Sequence, residues 1–282
     1  MKKRHGCLFP YIRYISNDNL RLYDMEENLR WGRNPAFNPE TDFLRRLEYL
    51  HAGCEAATLH ALNLFEKLSD DAEIVDIGCG TGAHTFLLAQ HLPGHINAVD
   101  IFPEMIVELL GKVRDKQLQT KITGVIAPFD NLPFGKSSVD LIWAENTISL
   151  VGFQKALKQW KELVKPGGTI AFTIKTWLTG ERPPEIQDYA NRYFSDTGTI
   201  PAYSEILQKC GYEPVAHFIA RSHSFREGYR EHFSALVPLL LQKYIRRQAI
   251  DTFLRRQERS MELLHRYQDY YNDVFFICKK SP

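Results

Sequence analysis

From residue 73 onward, short runs of Ile, Val and Phe alternate with stripes at helical spacing, and this alternation restricts the fold more than any other feature. The spacing predicts strands over 74–77, 96–100, 122–126, 139–144, 169–174, 214–219 and 273–278, each bounded by turn residues. Helices are expected between them, over roughly 83–91, 103–117, 153–164, 185–194 and 203–210. Lys165-Pro166-Gly167-Gly168 is read as closing one helix and turning into the next strand. Such alternation gives an α/β fold whose mostly parallel sheet is covered on both faces and binds ligands at the carboxyl ends of its strands.

The first of these strands runs into Ile74-Val75-Asp76-Ile77-Gly78-Cys79-Gly80-Thr81-Gly82. The glycines let backbone approach a ligand without a side chain between them. Asp76 argues against a pyrophosphate, which wants N–H groups and a helix N-terminus. A carboxylate there attracts a cation instead, and S-adenosylmethionine carries both an ammonium and a sulfonium. Asp100 ends the second strand about 20 residues after the glycines, where an acid can accept both hydroxyls of a ribose. After the third strand comes Pro128-Phe129-Asp130-Asn131-Leu132-Pro133-Phe134, with Phe129 placed to stack on a purine and Asp130 to accept from its amine. Trp143-Ala144-Glu145-Asn146-Thr147 ends the fourth strand, facing the reactive end of a ligand.

Read in order, Asp76 to Gly82, Asp100, Asp130 to Phe134, Asp140-Leu141-Ile142 and Leu163-Val164-Lys165-Pro166-Gly167-Gly168 resemble a class I S-adenosylmethionine-dependent methyltransferase over roughly residues 55 to 180. More narrowly, Ile142-Trp143-Ala144-Glu145, Gly152-Phe153, Trp177 to Pro183 and the segment from Tyr270-Tyr271 to Lys279-Lys280 are similar to a group of bacterial, Bacteroides-type small-molecule methyltransferases. The chain departs from that group at His51-Ala52-Gly53-Cys54 and at Ser149-Leu150, both expected to border the acceptor pocket, so substrate preference does not carry over. The resemblance implies a Rossmann-like, seven-stranded sheet with the last strand antiparallel, and S-adenosylmethionine as cofactor. It implies that Asp76 and the backbone of Gly78 and Gly80 hold the methionine moiety, with Cys79 a small residue within that loop and Gly82 admitting the next helix. Asp100 takes the ribose, Ile101 packs on the adenine, Asp130 with Phe129 reads its edge, and Glu145 lies near the ammonium or the acceptor.

Methyl transfer to a small molecule is therefore the expected activity, with S-adenosylhomocysteine as product. A base is needed only if the acceptor must lose a proton. Glu145 and His51 are the candidates, with His217 and His223 behind them. RNA or protein methylation is the alternative, and a NAD-dependent oxidoreductase a weaker one, since that predicts G-x-G-x-x-G. Composition agrees: 282 residues, 44% hydrophobic, 24% charged and a net charge of +1 give no reason to expect nucleic acid. Five scattered cysteines without a C-x-x-C pair suit reduced thiols in a cytoplasmic protein, with no metal site. Pro10 and Arg13 interrupt any signal-peptide core, and the run Ala235 to Leu241 is too short to span a bilayer.

Two units are expected. Residues 1–70 form an N-terminal helical cap or lid, its first 40 or so residues outside the sheet, with helical stripes at Phe43, Leu44, Leu47 and Leu50 and at Ala56, Leu59, Leu62, Leu64, Phe65 and Leu68. Residues 71–282 form the core, interrupted by a helical insertion at about 220–272 that is a candidate homodimer surface or cover for the sheet edge. Arg246, Arg247, Arg255, Arg256 and Arg259 there are interleaved with acids and read as a solvated helix face.

Overall fold

The computed structural model of the chain describes residues 12–14, 54–64, 66–194, 197–220, 233–242 and 247–281. In chain order these form β1 (Ile12–Tyr14), α1 (Cys54–Leu62), β2 (Glu73–Ile77), α2 (Ala83–His91), β3 (His95–Asp100), α3 (Pro103–Asp115) and β4 (Ile122–Ile126). There follow β5 (Val139–Ala144), α4 (Ile148–Val151), α5 (Phe153–Leu163), β6 (Val164–Trp177), α6 (Pro184–Tyr193), α7 (Ile200–Lys209) and β7 (Tyr212–Ile219). Helix α8 covers 233–242, and α9 (Arg247–Arg266) and β8 (Tyr271–Lys280) complete the described chain.

All seven expected strands are present in one sheet ordered β1-β4-β3-β2-β5-β6-β8-β7. Neighbours from β1 to β6 run parallel, and β8 runs antiparallel to both β6 and β7. Two expectations are corrected. Ile12–Tyr14 is not outside the sheet: it adds an eighth strand parallel to β4, pairing Ile12 with Gly124, because the edge of β4 offers an unpaired row of N–H and C=O groups. The segment Lys165–Gly168 does not separate helix from strand; it is taken up in a 14-residue β6 as an irregularity between the pairs Val139–Val164 and Leu141–Thr169.

The period of two along each strand divides the core between the faces. Val75, Ile77, Val99, Ile142, Phe172 and Phe276 pack with Phe153, Leu157 and Trp160 of α5 and Tyr203 of α7. Ile74, Ile96, Ala98, Leu141, Trp143, Ala171, Phe275 and Ile277 pack on the opposite face with Ala57 and Ala61 of α1, Leu88 of α2 and Ile106, Leu109 and Leu110 of α3. Helix α3 starts and stops where local chemistry dictates: Pro103 opens it, Glu104 sits in its first turn, and Lys112 and Arg114 sit in its last. The described parts of the insertion outside the strands include helices over 233–242 and 247–266, and Phe233, Leu240, Ile250, Phe253 and Leu254 form a small core of their own. Glu185 of α6 anchors the insertion, pairing with Arg259 and Arg266 and accepting from Tyr267 Oη. Among the described residues no helix is long and apolar enough to cross a membrane.

The chain runs outward from β2 through β3 and β4, then returns to the other side of β2 with β5. That reversal opens a crevice at the carboxyl ends of β2, β3 and β5, where a doubly wound sheet binds its ligand.

Candidate active site

Asp76, Asp100 and Glu145 fall on the same alternation as Ile74, Ala98 and Trp143, so all three point from strand ends to the α1–α2–α3 face. They are 2%, 6% and 6% exposed. Burial pushes the Asp76 carboxyl up to about 6, against a hydrogen bond from Thr85 and the charge of His84, with Glu145 and Asp100 pushing it further up. Burial likewise raises Asp100 to about 6, although the N–H groups of Phe102, Gly80 and Ile101 draw it down. Three acids gathered under low dielectric disfavour one another's charge, and a cation entering among them relieves that cost.

The glycine loop is organised by its own hydrogen bonds. Gly78 and Cys79 donate N–H to Val99 O at 2.8 and 3.0 Å, Gly82 donates to Cys79 O at 3.0 Å, and Gly80 donates to Asp100 Oδ2 at 2.9 Å. With these N–H groups engaged inside the protein, they form no free nest of donors of the kind a pyrophosphate needs. Gly78 has φ of +77°, and a Cβ there would stand 2.1 Å from Thr147 Oγ1. At Gly82 a Cβ would meet Phe86 at 2.8 Å and Leu109 at 3.1 Å, so this glycine lets α2 and α3 close onto the loop. Cys79 is buried with its thiol raised well above the ordinary value by burial, then by Asp100 and Asp76, so it is a packing residue.

Asp100 Oδ1 also accepts from Phe102 N–H at 2.9 Å, leaving lone pairs on both oxygens for hydroxyl donors. Ile101, half-buried, follows it beside the crevice. Phe129 is half-buried against the α5 face, its carbonyl accepting from Trp160 Nε1 at 3.0 Å. Asp130 does not join the buried cluster. It is exposed, its carboxylate holding Lys155 Nζ at 2.7 Å and its carbonyl accepting from Gln159, because α5 presents both side chains to it.

Glu145 sits at the centre of a network the sequence did not announce. Its Oε1 accepts from Thr58 Oγ1 at 2.7 Å and Trp143 Nε1 at 2.9 Å, and lies 3.1 Å from His84 Nδ1. Thr58 Oγ1 is in turn 3.2 Å from His84 Nδ1. Oε2 is buried and has no hydrogen-bond partner among the described residues. Thr147 fixes the backbone by donating to Glu145 O at 3.0 Å. The sequence marked Glu145 but neither Thr58 nor His84. His84 is readable only as the second residue of the helix after the glycines, and Thr58, 87 positions from Glu145, carries no local sign of the contact. Among the other candidate bases, His51 and His223 lie outside the described residues, and His217 is exposed on the edge strand β7 against Phe276.

Residues 74–168 match the family described as a methyltransferase domain. The chain is similar to malonyl-[acyl-carrier protein] O-methyltransferase of Herminiimonas arsenicoxydans, 29% identical over 36% of this chain and 37% of that protein. It is similar also to dimethylglycine N-methyltransferase of Parasynechococcus marenigrum, 31% identical over 41% of this chain and 42% of the relative, so it spans about two-fifths of the length of these curated relatives. Among solved structures, phosphoethanolamine N-methyltransferase 2 of Haemonchus contortus in complex with S-adenosyl-L-methionine superposes with a TM-score of 0.65 at 20% identity, over 84% of this chain and 55% of that one, a likeness of fold. Over residues 74–168 the chain is thus similar to methyltransferase domains, and over most of its length it shares the fold of a solved methyltransferase.

Proposed function

We propose that the protein transfers a methyl group from S-adenosylmethionine to a small-molecule acceptor. The observation that carries this reading is the bare, buried Glu145 Oε2 beside Asp76 and Asp100, around a loop whose amides are already engaged. Such a site offers acceptors and negative charge, which fits a ligand bearing an ammonium and a sulfonium and misfits a dinucleotide phosphate. When bound, that ligand supplies a methyl group on a positively charged sulfur whose departure needs no acid. In this reading Asp76 and the backbone of Gly78 and Gly80 hold the methionine end, Asp100 accepts the ribose hydroxyls, and Ile101 and Phe129 bound the adenine. Asp130 enters adenine recognition only by giving up Lys155. Glu145 orients the ammonium or the acceptor, with its own rotation blocked by the donors on Oε1.

The reading extends to the whole protein in four respects. Residues 71–282 form the catalytic core and residues 1–70 its cap or lid, apart from Ile12–Tyr14, which joins the sheet, and α1, which packs on it. The insertion is the candidate homodimer surface, and the enzyme works in the cytoplasm without nucleic acid. A narrower kinship with Bacteroides-type enzymes rests on Ile142 to Glu145, Gly152-Phe153, Trp177 to Pro183 and the segment from Tyr270-Tyr271 to Lys279-Lys280.

The test is calorimetric titration with S-adenosylmethionine, S-adenosylhomocysteine and NAD, followed by transfer of labelled methyl to sarcosine, phosphoethanolamine and catechol. Micromolar binding of the first two ligands and none of NAD is expected; binding of NAD alone would sink the proposal. Asp100→Ala should weaken S-adenosylmethionine binding, and unchanged affinity would move the ribose elsewhere. Glu145→Gln should retain that affinity if Glu145 serves the acceptor, and lose it if Glu145 holds the ammonium.

A further inference from the structure

We infer that His84 is the base that takes a proton from the methyl acceptor, with Glu145 and Thr58 holding it in the tautomer that leaves Nε2 as the proton acceptor. This inference rests on the methyltransferase reading above, and it narrows the acceptor to a nucleophile with a proton to lose: an amine, a hydroxyl or a phenol.

A threonine hydroxyl has a single hydrogen. Thr58 gives it to Glu145 Oε1 at 2.7 Å, since a carboxylate only accepts. Toward His84 Nδ1, 3.2 Å away, the same hydroxyl can then only accept. Glu145 Oε1, 3.1 Å from Nδ1, is an acceptor as well. Nδ1 therefore carries the proton, and in the neutral ring the lone pair sits on Nε2. The ring keeps 15% of its side-chain surface exposed, and Nε2 has no hydrogen-bond partner among the described residues, nor is it sealed among the buried orphan atoms, where Glu145 Oε2 stands alone. A carboxylate that fixes the tautomer of a histidine and supports the imidazolium formed is the arrangement general-base catalysis requires. The charged groups facing the ring are Glu145, just after β5, and Asp76 from β2, with Asp100 of β3 next to Asp76; α1 presents the hydroxyl of Thr58. All are acids, so each supports the protonated ring.

The step balances. The acceptor's X–H bond breaks with the proton passing to Nε2, its electron pair forms the new X–C bond, and the C–S bond breaks with its pair remaining on sulfur. The imidazolium later releases the proton to solvent.

Two measurements decide it. The first is imidazole nitrogen NMR of the wild-type protein, with His84→Asn for assignment. A neutral ring protonated at Nδ1 is expected; a neutral ring protonated at Nε2 would overturn the assignment. The second uses whichever of sarcosine, phosphoethanolamine or catechol the wild type methylates. Asn retains an amide N–H near the Nδ1 position but offers no base. His84→Asn should keep S-adenosylmethionine affinity within about threefold and lower kcat about a hundredfold or more near neutral pH, with the loss shrinking as pH rises and the acceptor ionises unaided. A variant with the wild-type kcat and pH profile would make His84 structural. Should His84→Asn not fold, the tautomer of the wild type decides. Absence of S-adenosylmethionine binding to wild type would instead sink the methyltransferase reading, and it would leave the tautomer result standing.

Discussion

Asp76 and Asp100 link the protonation of single residues to both stability and binding. Each is raised by burial to about 6, above the ordinary value of about 3.9. A group with a raised folded-state value contributes stability that is fully present below the unfolded value and is lost as pH rises through the folded one. The ligand-free protein should therefore lose stability between about pH 4 and pH 6 from these two groups, and a cation should restore it by binding the ionised forms. Lowering the pH from about 7.5 to about 5 should weaken S-adenosylmethionine binding about tenfold for each carboxyl. Calorimetry in buffers of different ionisation enthalpy would count the protons released, and an affinity flat across this range would contradict the placement of the pair at the ligand. Gly78 makes a second residue-scale prediction. Gly78→Ala combines a left-handed φ of +77° with a Cβ 2.1 Å from Thr147 Oγ1, the hydroxyl that fixes the Glu145 backbone. It should destabilise the fold by about 1–3 kcal/mol in urea denaturation and reduce cofactor affinity together with it.

At the scale of elements, β6 and β8 carry a buried charge pair across their antiparallel register, Lys175 Nζ lying 2.7 and 2.6 Å from the two carboxylate oxygens of Asp273. The side chains are 10% and 2% exposed, so neither charge is compensated by water. Removing one partner strands the other: Lys175→Met should cost about 3–5 kcal/mol, and the double change Lys175→Met with Asp273→Leu should recover most of it. Thermal or urea unfolding of the single and double variants checks this, and equal losses in both would show that the strands need the charges themselves.

At the scale of the whole molecule, the antiparallel β8 joins the parallel sheet to the edge strand β7, and Phe276 is its central packing group. Its ring stacks on Phe172 of β6 at 5.5 Å and meets Tyr203 of α7 edge-on at 6.0 Å. Phe276→Ala should cost about 3–5 kcal/mol, read as a lower urea midpoint, while the glycine loop on the opposite face keeps its geometry. A loss under about 1 kcal/mol would mean that the α5–α7 layer collapses into the space. The insertion, held through Glu185 and with its own small core, should unfold separately from this sheet, visible as earlier hydrogen exchange in α9 than in β8.

The strand–helix alternation, the loop from Gly78 to Gly82 and the acids Asp76, Asp100 and Glu145 were legible because they are local: periodicity, turn residues and an acid at a strand's end are written within a few positions of each other. Five strands gained residues at one or both ends, and β6 grew longest, since neighbours extend pairing past the point where side-chain pattern stops. The addition of Ile12–Tyr14 to β4, the turning of Asp130 toward Lys155 and the meeting of Thr58, His84 and Glu145 were not legible, because each depends on which edge, helix face or strand end the fold brings opposite. By itself the sequence determined the class of fold, the glycine loop and the acids around it. Only the tertiary structure decided which donors saturate one oxygen of Glu145 and leave the other bare, because a hydrogen bond is fixed by distance in space, not by separation along the chain.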